Sequence, residues 1–449
     1  MTSPPPSLSR RDFLRLASLA AGASLLASCR LNQPTPADLA DEGVQLVYQD
    51  WRTEWFPGMA REMLAQFHSQ YPDISVFYVP DPVDVEDRLL EDAQAGVAAD
   101  VFAACCAFFP ILAQEGQTLD LRPYIEADLD QETIQDWDAV QYRAFQTANG
   151  EQYGLPKYKG ALALFYNKDL FNQYNVDYPD ETWDHDDYQA AMALLTRDRD
   201  GDGVIDLWGG LLDISWDRLQ MHVNAWGGHF VDPQDPNRCR MGDPPALEAL
   251  EWIRARMWDD QIMARPLDVQ NLPITRAFIL EKVAMVEDGS WALKDILSGA
   301  NFRIGVAPLP AGPARRVTLA TTDGFGIYKG TRQPDAAWEL LKFLISKDYG
   351  RAMARANFLQ PARISLLQDW IDIIRQEFPA QTRKLDLDVF AQGHLQGYSV
   401  VSETFPNMTE AVRLVYSAWE KIFVLGEQPV ELMKEVSRQV EQAQPGGSS

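Results

Sequence analysis

The chain has 449 residues, 46% of them hydrophobic, and a formal net charge of −25. That length exceeds one average domain and suggests two or three. An acidic surface of this size repels phosphate backbones and argues against nucleic acid as a partner. The four cysteines show no CxxC spacing and form neither a disulfide framework nor a zinc motif.

Residues 1–28 read as an export signal. Ser9-Arg10-Arg11-Asp12-Phe13-Leu14-Arg15 matches a twin-arginine pattern, and Leu16 to Ala27 is an apolar run too short to span a bilayer comfortably. Leu26-Ala27-Ser28-Cys29 then reads as a lipobox whose cysteine thiol would carry lipid. The expectation is export by the twin-arginine pathway and a lipid anchor on Cys29, at the outer face of the cell membrane or in the periplasm. An uncleaved N-terminal anchor is the competing reading. Residues 29–43 are a polar tether and residues 445–449 a disordered tail.

The folded part opens with strands and helices in alternation. Val44 to Tyr48 alternates as a strand, and Met59, Met63, Leu64 and Phe67 keep helical spacing. A strand over 74–79, a helix over 85–95 and a strand over 99–104 follow. Such βαβ units predict a parallel sheet with ligand sites beyond the carboxyl ends of its strands. Two loops lie there, one with Trp51 and Glu54, the other with Cys105, Cys106 and Phe108. Helix-to-sheet packing is the competing explanation for Trp51 and Phe108. For Cys105 and Cys106, buried free thiols are favoured over a strained vicinal disulfide.

Tyr153 to Phe171 reads as a passage between two lobes: a turn, Pro156 at the start of a strand, then the apolar run Ala161 to Tyr166. Thr182 is an expected N-cap for the next helix. Asp198, Asp200, Asp202 and Asp206 occupy positions 1, 3, 5 and 9 of half an EF-hand loop, with Gly203 at position 6. Position 12 is Gly209, so a structural calcium would need an outside ligand; an Asp-Gly turn is the bland alternative. Ser215, Trp216 and Trp226 flank a helix, 244–258 is helical, and the strand 283–286 runs into Glu287-Asp288-Gly289-Ser290-Trp291. Ser290 is expected to cap the following helix. Pro310, Gly312 and Pro313 mark a second passage. Thr321 to Tyr328, which includes Asp323 and Phe325, is a strand, and Leu359-Gln360-Pro361-Ala362-Arg363 is a third passage. The lobes are expected at 44–157 with 311–359 and at 158–310 with 360–444.

Several motifs stand in a fixed order: Pro72-Asp73-Ile74, Asp100-Val101-Phe102, Tyr153-Gly154-Leu155-Pro156, Tyr166-Asn167-Lys168-Asp169-Leu170-Phe171, Trp226-Gly227-Gly228, Gly289-Ser290-Trp291, Gly324-Phe325-Gly326-Ile327 and Gln360-Pro361-Ala362-Arg363. In this order and spacing, over nearly the whole mature chain, the sequence resembles the family-1 extracellular solute-binding proteins of ABC importers, which include the maltose-binding proteins. The resemblance implies an α/β, two-lobed periplasmic-binding-protein type II fold. Each lobe would be a mostly parallel sheet flanked by helices, and three interlobe crossings would allow hinge closure. It further implies a monomer, a carbohydrate ligand and ABC permease subunits as partners. It makes Trp291 the first stacking candidate, then Tyr158, Trp226, Phe325 and Trp51. In relatives the loop after Asp100-Val101-Phe102 often supplies a polar contact; here it reads Ala104-Cys105-Cys106-Ala107.

Sugar rings have apolar faces and hydroxyl edges, so aromatic plates edged by polar groups suit them. The candidate ligand residues are Trp51, Glu54, Phe108, Tyr158, Ser215, Trp216, Trp226, Asp288, Trp291, Asp323, Phe325 and Arg363. Three alternatives stand beside this reading. Lys157 and Lys159 would suit a sugar phosphate, although exposed hinge surface is the simpler expectation for them. Asp288 beside Trp291 would suit a polyamine. A glycoside-acting enzyme needs paired carboxylates, and the adjacent Glu287 and Asp288 should point apart on a strand. No cofactor beyond the possible calcium is expected, and no enzyme activity.

Overall fold

Alternation in the first strand sorts its side chains as the pattern predicts. In the computed structural model, which describes residues 43–51, 57–81, 85–106, 108–147 and 149–446, β1 (Val44–Trp51) buries Leu46 and Tyr48 and exposes Gln45 and Val47. The Pro57–Gln70 helix begins at a proline, whose missing N–H costs nothing there. It buries Ala60, Met63, Leu64 and Phe67, one stripe at helical spacing. The signal, Cys29, the tether through residue 42, Glu54 and residues 447–449 lie outside the described residues. The Trp51 side chain does too.

Among the described residues, two five-stranded sheets carry the fold. The first has the order β2 (Ile74–Asp81), β1, β3 (Val101–Ala104), β11 (Gly324–Ile327), β4 (Leu155–Pro156). The second has the order β7 (Met263–Ala264), β6 (Trp208–Leu211), β8 (Val283–Gly289), β5 (Leu162–Asn167), β9 (Ile304–Ala307). A small parallel pair joins β10 (Thr318–Leu319) to β12 (Ser399–Val400). β1 and β3 are parallel, as is β6 with both neighbours, while β11 and β5 run antiparallel to theirs. Both sheets are therefore mixed. The antiparallel members β5 and β11 are the strands that begin just after the chain has passed from the other lobe. β5 and β8 are buried along their whole length, which is why Leu162–Tyr166 and Val283–Val286 are continuous apolar runs rather than alternating ones.

Three segments pass side by side between the sheets. In the first, Lys157 N–H donates to Asp323 O at 2.9 Å and Lys159 N–H to Gln360 O at 2.8 Å. Tyr158 bridges Pro361, and Ala161 bridges Ala320. Gln141 Nε2 donates to both Tyr158 O and Thr321 O, at 2.9 and 2.6 Å, tying the first lobe to two passages at once. The third passage starts at Phe358, a left-handed C-cap after the Lys347–Asn357 helix.

Three sequence expectations are corrected. The second passage is at 320–323, not at Pro310, Gly312 and Pro313. Ala311 pairs with Asp184, and Thr318 Oγ1 donates to Leu162 O at 2.8 Å, so 311–319 stays with the second lobe. The Pro/Gly cluster is only a turn that folds back against Ala225, whose carbonyl accepts Ala314 N–H. Asp184, not Thr182, caps the His185–Leu195 helix, with Asp187 completing a capping box. Ser290 does not cap; its hydroxyl donates to Lys159 O at 3.3 Å.

A cleft between the sheets as candidate functional site

The passages floor a cleft of about 570 Å³ lined from both lobes. The first lobe supplies Leu90, Cys106, Phe108 and Ile111, and the floor is Tyr158, Thr321 and Asp323, with Leu319 of the second lobe beside them. The second lobe supplies Asp213, Ser215, Trp291 and the first turn of the Trp216–Ala225 helix. Its Met408–Trp419 helix adds Thr409, Val412 and Tyr416. The loops after β3, β6 and β8 all open here, so the site lies beyond the carboxyl ends of those strands.

Trp291 is the plate of this cleft. A Cβ on Gly289 would lie 2.2 Å from its ring, and one on Gly160 would lie 2.5 Å from it. Only glycine lets the indole lie against the backbone of β8 and the first passage. The Arg218 guanidinium stands 5.6 Å from the ring centroid. Its Nη1 donates to Glu287 O at 2.9 Å, and its Nη2 is 3.6 Å from Asp288 Oδ1. Asp288 in turn accepts from Thr275 Oγ1 at 2.5 Å and Gly289 N–H at 2.7 Å. Burial pushes the Asp288 carboxyl above its ordinary range, and Arg218, Thr275 and Gly289 pull against it.

Glu287 faces the other way, as neighbours on a strand should. His222 Nε2 is 3.0 Å from its Oε2, His222 Nδ1 is 3.2 Å from His185 Nε2, and His185 Nδ1 is 2.9 Å from Ala311 O. The Ala311 carbonyl can only accept, so the proton of His185 sits on Nδ1 and its Nε2 accepts from His222. Burial, then the His222 charge, pushes His185 down to about 4. Arg218 and His222, one helical turn apart, thus clamp the helix to β8.

The first turn of that helix is also held from the C-terminal part of the chain. Trp216 N–H donates to Tyr416 Oη at 3.0 Å, and Trp216 Nε1 to Glu403 O at 2.9 Å. The Ser402 hydroxyl donates to Asp217, whose carboxyl burial pushes up.

The structure brings together Phe108, Tyr158, Ser215, Trp216, Trp291 and Asp323 from the sequence expectation. Four others are placed elsewhere. Trp226 closes the helix whose first turn faces the cleft, about 15 Å away at 1.5 Å per residue, and packs edge-on to His185. Phe325 points into the first lobe's core, fully buried, with Lys157 Nζ 5.3 Å from its ring centroid. Arg363 lies 3.9 Å over the Trp137 ring and donates to Thr133 O and Ile345 O; burial pushes its pKa to about 10. Asp288 sits behind Arg218 and does not line the cleft.

Lys157 and Lys159 are not exposed. Lys157 pairs with Asp50 and Lys159 with Asp138, the second at 2.8 Å, all four buried. Asp138 also meets His394 Nδ1 at 3.2 Å. Against burial, which raises it, His394 and Lys159 hold the Asp138 carboxyl well below its ordinary range. Cys106 Sγ lies 2.7 Å from Cys105 Sγ, and of Cys105, Cys106 and Cys239 only Cys106 is partly exposed. In the aspartate loop, Asp198, Asp200 and Asp206 bring carboxylate oxygens within 4.8 Å of one another. Asp202 stands apart and accepts from Val204 N–H, and Gly209 is in β6. Three of the four expected donors therefore fit a cation.

Residues that sequence reasoning missed are Arg218, Asp213, Asp217, Thr321 and Tyr416. Arg218 carried a usable signal, since it shares one helix face with His222 and a buried arginine needs a partner. Tyr416 carried none, being about 200 residues from the helix that it caps.

A family model described as bacterial extracellular solute-binding protein matches residues 50–351. A binding protein of Brucella abortus (strain 2308) is 25% identical over 432 residues, 94% of this chain and 96% of its own. The maltodextrin-binding protein MdxE of Bacillus subtilis (strain 168) is 24% identical over 259 residues, 56% of this chain and 58% of its own. An ABC substrate-binding protein of Listeria monocytogenes, solved in complex with cycloalternan, superposes with a TM-score of 0.76 at 22% identity, covering 89% of this chain and 97% of that one. With the family pattern matched from strand β1 to the helix before the third passage, the chain belongs to the bacterial extracellular solute-binding proteins.

Proposed function

We propose that this protein captures a mono- or oligosaccharide in the cleft and hands it to the membrane subunits of an ABC importer. The observation that carries the reading is the Trp291 plate, laid against two glycines and surrounded by Ser215, Asp213, Thr321 and Asp323. Phe108, Tyr158 and Tyr416 supply further apolar faces from the first lobe, the floor and the rim. This pairs flat apolar surface with hydrogen-bonding edges, as a sugar ring requires. The maltodextrin and cycloalternan named for relatives supports the same class. Closure would be a rotation of the lobes about the three adjacent passages.

Titration of the intrinsic tryptophan fluorescence with a panel of sugars and polyamines tests the reading. Saturable change with a sugar is expected; response to polyamines alone overturns it. Twin-arginine export and lipid on Cys29 belong to the same proposal. They predict a mature chain that begins at Cys29, carries diacylglycerol and partitions with membranes. The protein is proposed to act as a monomer, which size-exclusion chromatography with light scattering decides. No helix among the described residues is long and apolar enough to cross a membrane.

A further inference from the structure

We infer that the cleft selects uncharged sugars over anionic ones, and that Asp288 sets this choice by keeping Arg218 engaged within the protein. The inference rests on the carbohydrate reading and adds the charge class of the ligand. Among the described residues that line the cleft, the one cation is Arg218, beside three carboxyl groups on Asp213, Asp217 and Asp323. The guanidinium is not an open anion receptor. One face is toward the Trp291 ring, one nitrogen donates to Glu287 O, and another is 3.6 Å from Asp288. Its side chain is only 8% exposed.

The other cations near the floor are committed too. Lys157 lies against Asp50 and Lys159 against Asp138, in pairs whose side chains are nearly or wholly out of solvent. A phosphate or carboxylate on a sugar would lose its hydration on entering. It would meet repulsion from Asp213 and Asp323 and would have to compete with Asp288 for Arg218. An uncharged ring loses little and can use the same oxygens as hydrogen-bond acceptors for its hydroxyls. Asp288 is therefore a specificity-determining residue although it does not line the cleft.

The test measures affinities for matched pairs at one ionic strength: glucose with glucuronate, glucose with glucose 6-phosphate, and galactose with galacturonate. In each pair that binds, the neutral member should be preferred by at least about tenfold, the scale of one charge interaction in a partly buried site. Asp288→Asn, which is isosteric and removes the charge that faces Arg218 while leaving its bond to Glu287 O, should narrow that ratio by about tenfold. Asp213→Asn, at an exposed position, removes a cleft carboxylate without touching the core and should narrow it in the same direction. An anionic member that binds wild type as tightly as its neutral partner overturns the inference while leaving the carbohydrate reading intact. A ratio unchanged in both variants overturns the role of Asp288 and the carboxylates. Binding by neither member of any pair, nor by maltotriose or any other sugar of the fluorescence panel, overturns the carbohydrate reading itself, and this inference with it.

Discussion

Trp291 is oriented by what lies around it: two glycines beneath the ring and a guanidinium beside it. Trp291→Ala should weaken ligand binding by ten- to a hundredfold, about 1–3 kcal/mol, with the melting temperature little changed, as calorimetric titration would show. Gly289→Ala should weaken binding as well, because its Cβ would displace the ring that it otherwise supports. Unchanged affinity in both variants would remove the plate from the site. The buried lysines act on stability instead. Lys157→Met leaves Asp50 as an uncompensated buried charge and should cost about 3–5 kcal/mol in denaturant unfolding. These lysines were the least legible residues in the sequence. Their type argues for solvent, and only carboxylates about 20 and 100 positions away reverse that.

At the scale of elements, the Trp216–Ala225 helix connects the cleft to the interior. Its first turn lines the site, and His222 joins Glu287 and His185 behind it. His185 titrates at about 4 in the fold against 6.5 ordinarily. Between those values the unfolded chain binds a proton that the folded chain does not, so stability rises with pH there. The contribution is whole above about pH 6.5 and is lost as pH falls to about 4, roughly 3 kcal/mol at about 1.4 kcal/mol per pH unit. Melting temperatures followed from about pH 7 to about pH 4 should fall in this window, and the fall should be shallower in His185→Phe. An identical slope would sink the assignment. The aspartate loop offers a separate test. Asp200 keeps a raised carboxyl pKa: a backbone hydrogen bond from Asp202 lowers it, and repulsion from Asp202, Asp206 and Asp198 outweighs that. Calcium bound there is proposed to raise the melting temperature, reversibly with chelator and not in Asp200→Asn. No shift with calcium would reduce the loop to an Asp-Gly turn. The helix Pro244–Trp258 was legible to the residue, because a proline start and a periodic stripe are local signals. The Thr182 cap was not, since two acidic residues just downstream make a better capping box.

Across the whole molecule, the three passages decide how the lobes can move. Gln141 holds two of them together from the first lobe. Gln141→Leu strips the partner from two buried carbonyls and should lower stability by about 1–3 kcal/mol in denaturant unfolding. By itself the sequence determined the alternating α/β elements and two of the three passages, because periodic apolar runs and their punctuation are local properties, and the family through short motifs in a fixed order. It also named Phe108 from its place beyond a strand end and Trp216 beside a helix, while Trp291 and Tyr158 came through the family resemblance. Only the tertiary structure decided that the second passage begins after β10, that Trp226, Phe325 and Arg363 pack away from the cleft, and that Arg218 and Tyr416 enter it. Each of those outcomes depends on which distant segment lies opposite. A helix shows one end to the cleft and buries the other, and a charge is free or committed according to a partner that no local pattern names.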